Sequence, residues 1–281
     1  MDKGRPSSSA QGAAIVRASH RILDDEPKIL DDSIAASLLG DEFDRYKTLV
    51  RCFPFSALIR ANFIMRSRYA EDRLAESLRD GVGQYVLLGA GLDTFAYRQP
   101  EWTGSLRIFE VDYPATQTWK REKLAAANIP IPTNVTFVPV DFERISLPQG
   151  LDAAGLNFHV PTFFSSLGVT QYLTEDAFDH ALKFVLSLPP RSEVVFSYVL
   201  AGSALSLAGR VGVAVVAAIS AARGEPWLTR FSPQPLVGKL KSMGFSEVKP
   251  FSADAANSRY FQGRRDGLRV SRIEQMMSAT V

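Results

Sequence analysis

Short apolar runs and amphipathic stretches alternate through the middle of the chain. The apolar runs have the length of buried strands and occupy residues 84–88, 106–111, 135–139, 160–166 and 193–199. Stretches with helical spacing separate several of them, at residues 94–99, 114–127 and 174–187. Pro114 suits a first helical turn and Thr174 a helix cap. The alternation predicts an α/β fold with a doubly wound, mostly parallel sheet.

The two ends of the chain depart from this alternation. Residues 1–12 are rich in Ser and Gly and are predicted to be disordered, whereas residues 13–81 have the pattern of a helical extension. After the run at 193–199, residues 200–235 are predicted to form an inserted helical cap. Because no repeat or long linker divides the sequence, residues 1–281 are expected to form a single domain.

The last elements predicted are a helix near 233–243 and a closing hairpin built from residues 245–249 and 258–262. Within the cap, residues 203–222 approach the length of a membrane span. Arg210 lies inside this segment and most of its residues are small. These features favour a helix packed over the core rather than one in a membrane.

A glycine turn and a later carboxylate suggest a ligand pocket. The apolar run ending at Leu88 leads directly into Gly89-Ala-Gly91, where the missing Cβ atoms allow a sharp turn and close approach of a ligand. The next apolar run ends in Asp112. A carboxylate at the end of a neighbouring strand can accept both hydroxyls of a ribose. Together these residues predict a nucleoside pocket.

Two nucleoside cofactors fit such a pocket, and the loop distinguishes them. A dinucleotide site usually reads G-x-G-x-x-G, with pyrophosphate at a helix N-terminus. Here Thr94 takes the third position and Asp93 precedes it. An anionic side chain repels a diphosphate but suits the ammonium group of S-adenosylmethionine. The loop therefore favours that cofactor; a NAD-dependent oxidoreductase and a glycine turn without ligand remain alternatives.

The composition of the chain argues against several classes of binding partner. A net charge of +2 with both signs dispersed gives no electrostatic case for nucleic acid. The single cysteine and three scattered histidines make a metal site unexpected. The N-terminus lacks the apolar segment of a secretory signal, so a cytoplasmic enzyme acting on a small molecule, without a membrane partner, is expected. The sequence does not indicate an oligomeric state.

Several ordered motifs carry a family resemblance. They read RSRYAED at 66–72, LLGAGLDTFAYR at 87–98, FEVDYP at 109–114, VPVDF at 138–142 and GVTQYL at 168–173, with AAIVRASHR at 13–21 and GEPW at 224–227. The chain resembles the bacterial S-adenosylmethionine-dependent methyltransferases related to leucine carboxyl methyltransferase, over about residues 11–250. The resemblance implies a Rossmann-like sheet of the class I methyltransferase type.

The motifs suggest roles for individual side chains, each with a structural alternative. Asp112 is expected to bind the ribose hydroxyls or to cap the following helix. Asp141 is expected to accept the adenine amino group while Phe142 packs on the ring, a role implied largely by the resemblance; the alternative is a turn-forming Asp. Arg66 is the candidate to bind the cofactor carboxylate bidentately, with Arg68 as the alternative. The two residues lie on different helix faces, so only one is expected to point inward, and a solvated face is the ordinary alternative for either.

One motif departs from the family pattern. Relatives of the leucine carboxyl type carry a Glu before the glycine of this motif, near the cofactor's methionine tail, whereas this chain has Leu167 before Gly168. Hydrogen bonds from Ser166, Thr170 or Gln171 are the expected substitutes. Tyr172 either lines the mouth of the methyl-transfer site, as the one catalytic candidate, or is a half-buried aromatic under the next helix.

The chemistry of methyl transfer favours some chemical classes of methyl acceptor over others. A carboxylate is nucleophilic enough without a base, whereas an alcohol or phenol needs one. His159 begins a strand at the end away from the expected site, so no base is evident and a carboxyl or acidic hydroxyl is favoured. Aromatic residues of the N-terminal helices and cap suggest a small apolar acceptor: Phe53, Phe55, Phe63, Trp227 and Phe231. An inactive cofactor-binding module is a further alternative.

Overall fold

Seven strands and ten helices organise the residues that the computed structural model describes, which are 7–53, 55–141 and 145–281. The strands are β1 (Gln84–Leu88), β2 (Arg107–Asp112), β3 (Val135–Pro139), β4 (Thr162–Ser166), β5 (Glu193–Val199), β6 (Glu247–Phe251) and β7 (Glu274–Thr280). The helices are α1 (Ser8–Leu23), α2 (Ala35–Leu39), α3 (Asp41–Cys52), α4 (Ser56–Arg79), α5 (Pro114–Ala126), α6 (Leu147–Ala153), α7 (Glu175–Leu186), α8 (Leu207–Ala222), α9 (Pro233–Met243) and α10 (Ala253–Tyr260).

The strands form one sheet in the order β3-β2-β1-β4-β5-β7-β6. Strands β1 to β5 pair in parallel, and β7 runs antiparallel between β5 and β6. The predicted α/β class with a mostly parallel sheet is thus confirmed. The carboxyl ends of the parallel strands share one edge, here called the carboxyl edge. Because β7 is antiparallel, it begins at that edge, where Glu274 pairs with Val199.

Apolar clusters cover both faces of the sheet. On one face Phe164, Phe178 and Phe196 belong to a cluster that includes side chains of α7 and α9. A second cluster, on the other face, includes Ile64 and Leu74 of α4. A third cluster joins α1, α2 and α3 to Leu92 in the loop after β1. The N-terminal helices are therefore packed onto the loop in which the nucleoside pocket is predicted.

The first helix begins earlier than expected. Helix α1 starts at Ser8, with the Ser7 side chain accepting a hydrogen bond from the Ala10 N–H. The prediction of disorder through residue 12 is therefore wrong for residues 7–12, and residues 1–6 lie outside the described residues. Of the serines that suggested disorder, Ser7 caps the helix, and Ser8 and Ser9 form its first turn.

The predicted closing hairpin is wrong in its second strand. Residues 258–260 end helix α10, which Ser252 caps by accepting from the Ala255 N–H at 3.2 Å, and the closing strand is β7. Met276 and Met277 are both fully buried, since β7 lies inside the sheet with neighbours on both sides. A strand buried on both faces shows no alternation of apolar and polar residues.

The cap helix α8 lies at the surface. Val213 is its one buried residue, whereas Leu207, Val211, Val215 and Ile219 are exposed at four-residue intervals. The expectation of a helix packed closely over the core is therefore wrong for most of its length. None of the described helices is long and apolar enough to cross a membrane.

Candidate active site

The glycine loop after β1 adopts a backbone that other residues rarely take. Gly89 and Gly91 have φ angles of +68° and +48°. A Cβ at Gly89 would lie 2.5 Å from Val169 Cγ2, and one at Gly91 would lie 2.9 Å from Ala10 Cβ. The loop is wedged between the loop after β4 and the start of α1, so both positions require glycine.

Asp112 ends β2 and holds this loop in place. Its Oδ2 accepts from the Gly91 N–H at 2.5 Å and its Oδ1 from the Tyr113 N–H at 2.6 Å. Burial raises the pKa of Asp112, and the two backbone N–H groups oppose that rise. The cap position of α5 is Tyr113, without a side-chain cap bond, so Asp112 does not serve as the helix cap. Each carboxylate oxygen keeps further acceptor capacity for a hydroxyl.

Asp93 turns back onto its own loop. Its Oδ1 accepts from the Phe95 N–H at 2.8 Å, which fixes the 3-10 turn Phe95–Tyr97 where a longer helix was expected. Burial raises the pKa of Glu71, and the negative charge of Asp93 adds to this rise while Arg98 opposes it. Asp93 thus places a negative charge near Glu71, where Arg98 supplies a positive one.

A buried ion network under the loop was missed by the sequence interpretation. Arg17 of α1 donates to Asp32 at 3.1 Å and to the Leu92 carbonyl at 2.6 Å, and the Thr94 hydroxyl donates to Asp32 at 2.7 Å. Arg98 pairs with Glu71. Burial acts to raise the pKa of Asp32, but the charges of Arg17 and Arg98 lower it below its usual value. The network ties the N-terminal helices to the loop.

Arg66 of α4 reaches the carboxyl edge. Its guanidinium lies against Gly168, where an added Cβ would be 2.6 Å from Nη1, and over the Phe63 ring at 4.0 Å. Nη1 donates to Glu274 Oε1 at 3.3 Å, which uses one of the five N–H donors of the side chain. Arg68 lies on another face of α4, where it pairs with Asp72.

The loop after β4 shows which of the expected substitutes keeps an acceptor free. The Thr170 hydroxyl donates to the Ser197 carbonyl at 2.6 Å, and Ser166 is buried at the end of β4. The Gln171 amide donates to the Gly168 carbonyl at 3.0 Å, and its Oε1 is buried without a hydrogen-bond partner among the described residues. Tyr172 completes the same 3-10 turn and is half-buried.

Asp141 follows β3, beside the strand that ends in Asp112, because Asp112 pairs with Pro139. The two predicted nucleoside-binding carboxylates thus follow adjacent strands. Phe142, predicted to pack on adenine, lies outside the described residues. Among the described residues, no cluster of three or more His, Cys, Asp or Glu could hold a metal ion.

Two glutamates at this edge were not predicted. Glu274 contacts Arg66, and Glu225 accepts from the Ser7 hydroxyl at 3.0 Å and the Ser8 N–H at 3.1 Å. Glu225 belongs to the GEPW motif, which marked it without indicating its contacts. Glu274 lies in a polar start to β7 that carries no sequence signal.

The chain is similar in sequence and in fold to known methyltransferases. The family model for leucine carboxyl methyltransferase matches residues 10–186. YktD of Bacillus subtilis, named as an S-adenosyl-L-methionine-dependent methyltransferase, is 34% identical, and the alignment covers 95% of each chain. Crystal structures of a DUF574 family protein from Streptomyces avermitilis and of a protein from Thermobifida fusca described as a methyltransferase share the fold. Their TM-scores are 0.57 and 0.56, each at 17% identity, and the matches cover 94% and 99% of this chain and 96% of each of theirs.

The fold and these relatives define the class as the S-adenosyl-L-methionine-dependent methyltransferases with a class I sheet. Within it, the chain belongs to the leucine carboxyl methyltransferase family. The predicted family and the predicted cofactor, S-adenosylmethionine, are therefore confirmed, and the alternative of a NAD-dependent enzyme is not supported.

Proposed function

We propose that this protein is an O-methyltransferase acting on a carboxyl or acidic hydroxyl group of a small, largely apolar molecule. The observation that carries the acceptor class is the position of the histidines, none of which lies at the carboxyl edge. An acceptor that is already anionic, or easily made so, needs no protein base.

Each of the three histidines is accounted for elsewhere. His20 is fully buried in α1, where Nδ1 bonds to Asp24 at 2.8 Å and Nε2 accepts from the Ile29 N–H at 3.2 Å. His159 is exposed before β4, at the opposite edge of the sheet. His180 is exposed on α7 and bonds to the Asp176 carbonyl. The missing base therefore favours a carboxylate over an ordinary alcohol.

The donor set fits S-adenosylmethionine, which supplies an activated methyl group on a positively charged sulfur. In this proposal Asp112 accepts the ribose hydroxyls, Asp141 accepts the adenine amino group and Phe142 packs on the ring. Arg66 binds the carboxylate of the amino-acid tail, and the orphaned Gln171 Oε1 accepts from its ammonium. An unpaired buried acceptor is costly, so a bound donor at Gln171 removes an existing penalty.

The ammonium is also proposed to lie near the negative charge of Asp93, on the same loop as the two glycines. Gly89 and Gly91 allow the loop to turn under the cofactor. Helix α1, held by Glu225, covers Gly91 and helps to exclude water. Holding acceptor and methyl in line supplies much of the rate in such a displacement.

The acceptor pocket is proposed to lie between the N-terminal helices and the cap. The N-terminal part of the chain contributes a cavity of about 180 Å³ that no cap residue lines; its lining is Val16, Leu49, Val50, Phe53, Ser56 and Ile59. It lies one turn along α4 from Phe63, which contacts Arg66. Phe55 is 76% exposed, whereas Phe231 packs on Phe178 and belongs to the core. The apolar lining supports an acceptor with an aliphatic or aromatic body.

The chain is proposed to act as one domain in the cytoplasm, with residues 200–235 as a cap. Tyr172 is proposed to line the mouth of the site. A dispersed net charge of +2 supports a small-molecule acceptor over nucleic acid.

Calorimetry and methyl-transfer assays test the proposal. S-adenosylmethionine and S-adenosylhomocysteine should bind the purified protein, and NAD should not. A panel of small apolar carboxylates, each paired with the alcohol of the same skeleton, should yield base-labile methyl esters from the acids and no ethers from the alcohols. Transfer to an alcohol or amine with no ester formed would contradict the acceptor class. Binding of S-adenosylhomocysteine without transfer to any acceptor would favour a cofactor-binding module.

A further inference from the structure

Trp227 holds a buried hydrogen-bond donor that nothing in the described protein satisfies. Its indole Nε1 is buried and has no hydrogen-bond partner among the described residues. The ring itself packs against the apolar cluster that contains Phe178 and Phe231. A buried N–H without an acceptor costs free energy and calls for an explanation, such as a ligand oxygen.

The segment that carries Trp227 is anchored on both sides. On one side Glu225, 8% exposed, accepts from Ser7 and Ser8 at the start of α1, and Ala10 of that helix touches Gly91. The first anchor thus reaches the loop that follows β1.

On the other side, the Leu228 N–H donates to the Gln171 carbonyl at 2.6 Å, and the Thr229 hydroxyl donates to the Leu173 carbonyl. The second anchor is the turn that follows β4. Since β1 and β4 are neighbours in the sheet, the segment 225–229 that carries Trp227 joins the turn after β4 to the helix that contacts the loop after β1.

We propose that the Trp227 indole N–H donates a hydrogen bond to an oxygen of the methyl acceptor and so determines specificity for acceptors with a carboxylate. This inference rests on the proposed function and deepens it. A carboxylate has two oxygens, so one can be held by the indole while the other faces the methyl group. An alcohol has a single oxygen and cannot do both equally well.

The donor type supports this assignment. An indole N–H donates and never accepts, so it can bind a carboxylate or carbonyl oxygen but not an ammonium. Gln171 Oε1, the unpaired acceptor on the turn to which Leu228 is bonded, has the opposite character and can serve a donor such as the cofactor's ammonium. The unpaired Trp227 N–H therefore suits an oxygen of the methyl acceptor, and the unpaired Gln171 Oε1 suits the nitrogen of the cofactor.

Indole NMR on the unmodified protein tests the hydrogen bond directly. The chain has three tryptophans, so ¹⁵N-tryptophan labelling yields three indole signals, and Trp227→Phe identifies the one from Trp227. The complex with S-adenosylhomocysteine is titrated with phenylacetate and hexanoate, and in parallel with 2-phenylethanol and 1-hexanol. We expect both carboxylates to move the Trp227 N–H signal downfield in a saturable way, with the other two indoles unchanged.

The proposal is overturned if neither carboxylate moves that signal, or if the matched alcohols move it equally. The readout is binding to a complex that cannot transfer methyl. It therefore separates failure of this inference from failure of the proposed function, which is judged by methyl ester formation.

The variant Trp227→Phe gives an independent measurement because it keeps an aromatic ring and removes the donor. Loss of a hydrogen bond to a charged group should weaken phenylacetate binding to the complex by about tenfold or more. The dissociation constant of S-adenosylhomocysteine should stay within about twofold, and Trp119→Phe, the control, should change neither. Unchanged phenylacetate affinity, or an equal loss of cofactor affinity, would make Trp227 a structural residue only.

Discussion

At the scale of single residues, Asp112 links two loops through one carboxylate. It accepts from Gly91 on the glycine loop and from Tyr113 before α5, and burial raises its pKa. Burying this charged carboxylate costs free energy, and the buried group lies at the strand end where a ribose is proposed to bind. Such an arrangement is more easily understood as preorganised binding than as stabilisation of the fold.

The first prediction concerns this carboxylate. Asp112→Asn should weaken S-adenosylhomocysteine binding by about 2–3 kcal/mol, because ribose hydroxyls and the Gly91 N–H lose a charged acceptor. Calorimetry measures the change. Asp152→Asn, an exposed position on α6, serves as the control and should bind normally. An unchanged dissociation constant for Asp112→Asn would remove this residue from the cofactor site.

A second prediction follows from the raised pKa of Asp112. The ionised carboxylate is the form that accepts hydroxyl donors, and burial shifts its protonation to a pH above the usual 3.8. On acidification, S-adenosylhomocysteine affinity should decline at a higher pH than an ordinary Asp would allow. The Asp112→Asn variant should lack this component. Matching pH profiles for the two proteins would show that another group controls binding.

Individual site residues could be predicted from the sequence only where a local motif identifies them. Asp112 ends a strand and Arg66 lies in a helix, as predicted, because a strand-end carboxylate and a helical arginine can be identified within their own motifs. Glu274 meets Arg66 across 208 residues and Glu225 meets Ser8 across 217. No local pattern encodes such pairings, which depend on how β7 and the cap return to the sheet.

At the scale of elements, the start of α1 depends on a side chain from the cap. Glu225 supplies a charged acceptor to Ser7 and Ser8, where a helix N-terminus has unsatisfied N–H groups. The helix in turn touches Gly91. One carboxylate thus couples the cap, the first helix and the glycine loop.

The third prediction removes that carboxylate. Glu225→Ala should speed amide hydrogen exchange in the first turns of α1 by about fivefold, since losing a helix cap typically costs about 1 kcal/mol. Dissociation of S-adenosylhomocysteine should also become faster. Exchange in β1 should not change, and Glu247→Ala, about half exposed at the start of β6, should behave as the wild type. Unaltered exchange in α1 would mean that its other contacts suffice.

Elements were predictable where burial left a clear pattern. Strands β1, β3 and β5 match their apolar runs, and Thr174 caps α7 as expected. The closing strand was missed because Glu274, Gln275, Ser278 and Thr280 interrupt its apolar character, and α10 occupies the region assigned to it. The start of α1 was missed because capping serines resemble a disordered tail in composition.

At the scale of the whole molecule, the carboxylates are distributed rather than grouped. Asp93 is bonded to its own turn, Asp112 to two backbone N–H groups, and Glu110 lies in a buried pair with Lys120 at 2.8 Å. Asp141 follows a different strand. Asp93, Asp112 and Glu110 thus each bind different partners. The described residues contain no cluster of His, Cys, Asp or Glu suited to a metal ion.

The fourth prediction is that methyl transfer proceeds without a divalent ion. A metal that orients an acceptor needs several oxygen ligands converging on one point, and the carboxylates of this site follow separate strands and loops. Transfer to a carboxylate acceptor should therefore keep its rate in EDTA, and added Mg²⁺ should not raise it. The pH profile should follow ionisation of the acceptor, because no histidine lies at the carboxyl edge. Loss of activity in EDTA with recovery in Mg²⁺ would show that these carboxylates converge when the acceptor binds. A catechol would then replace the carboxylate as the proposed acceptor.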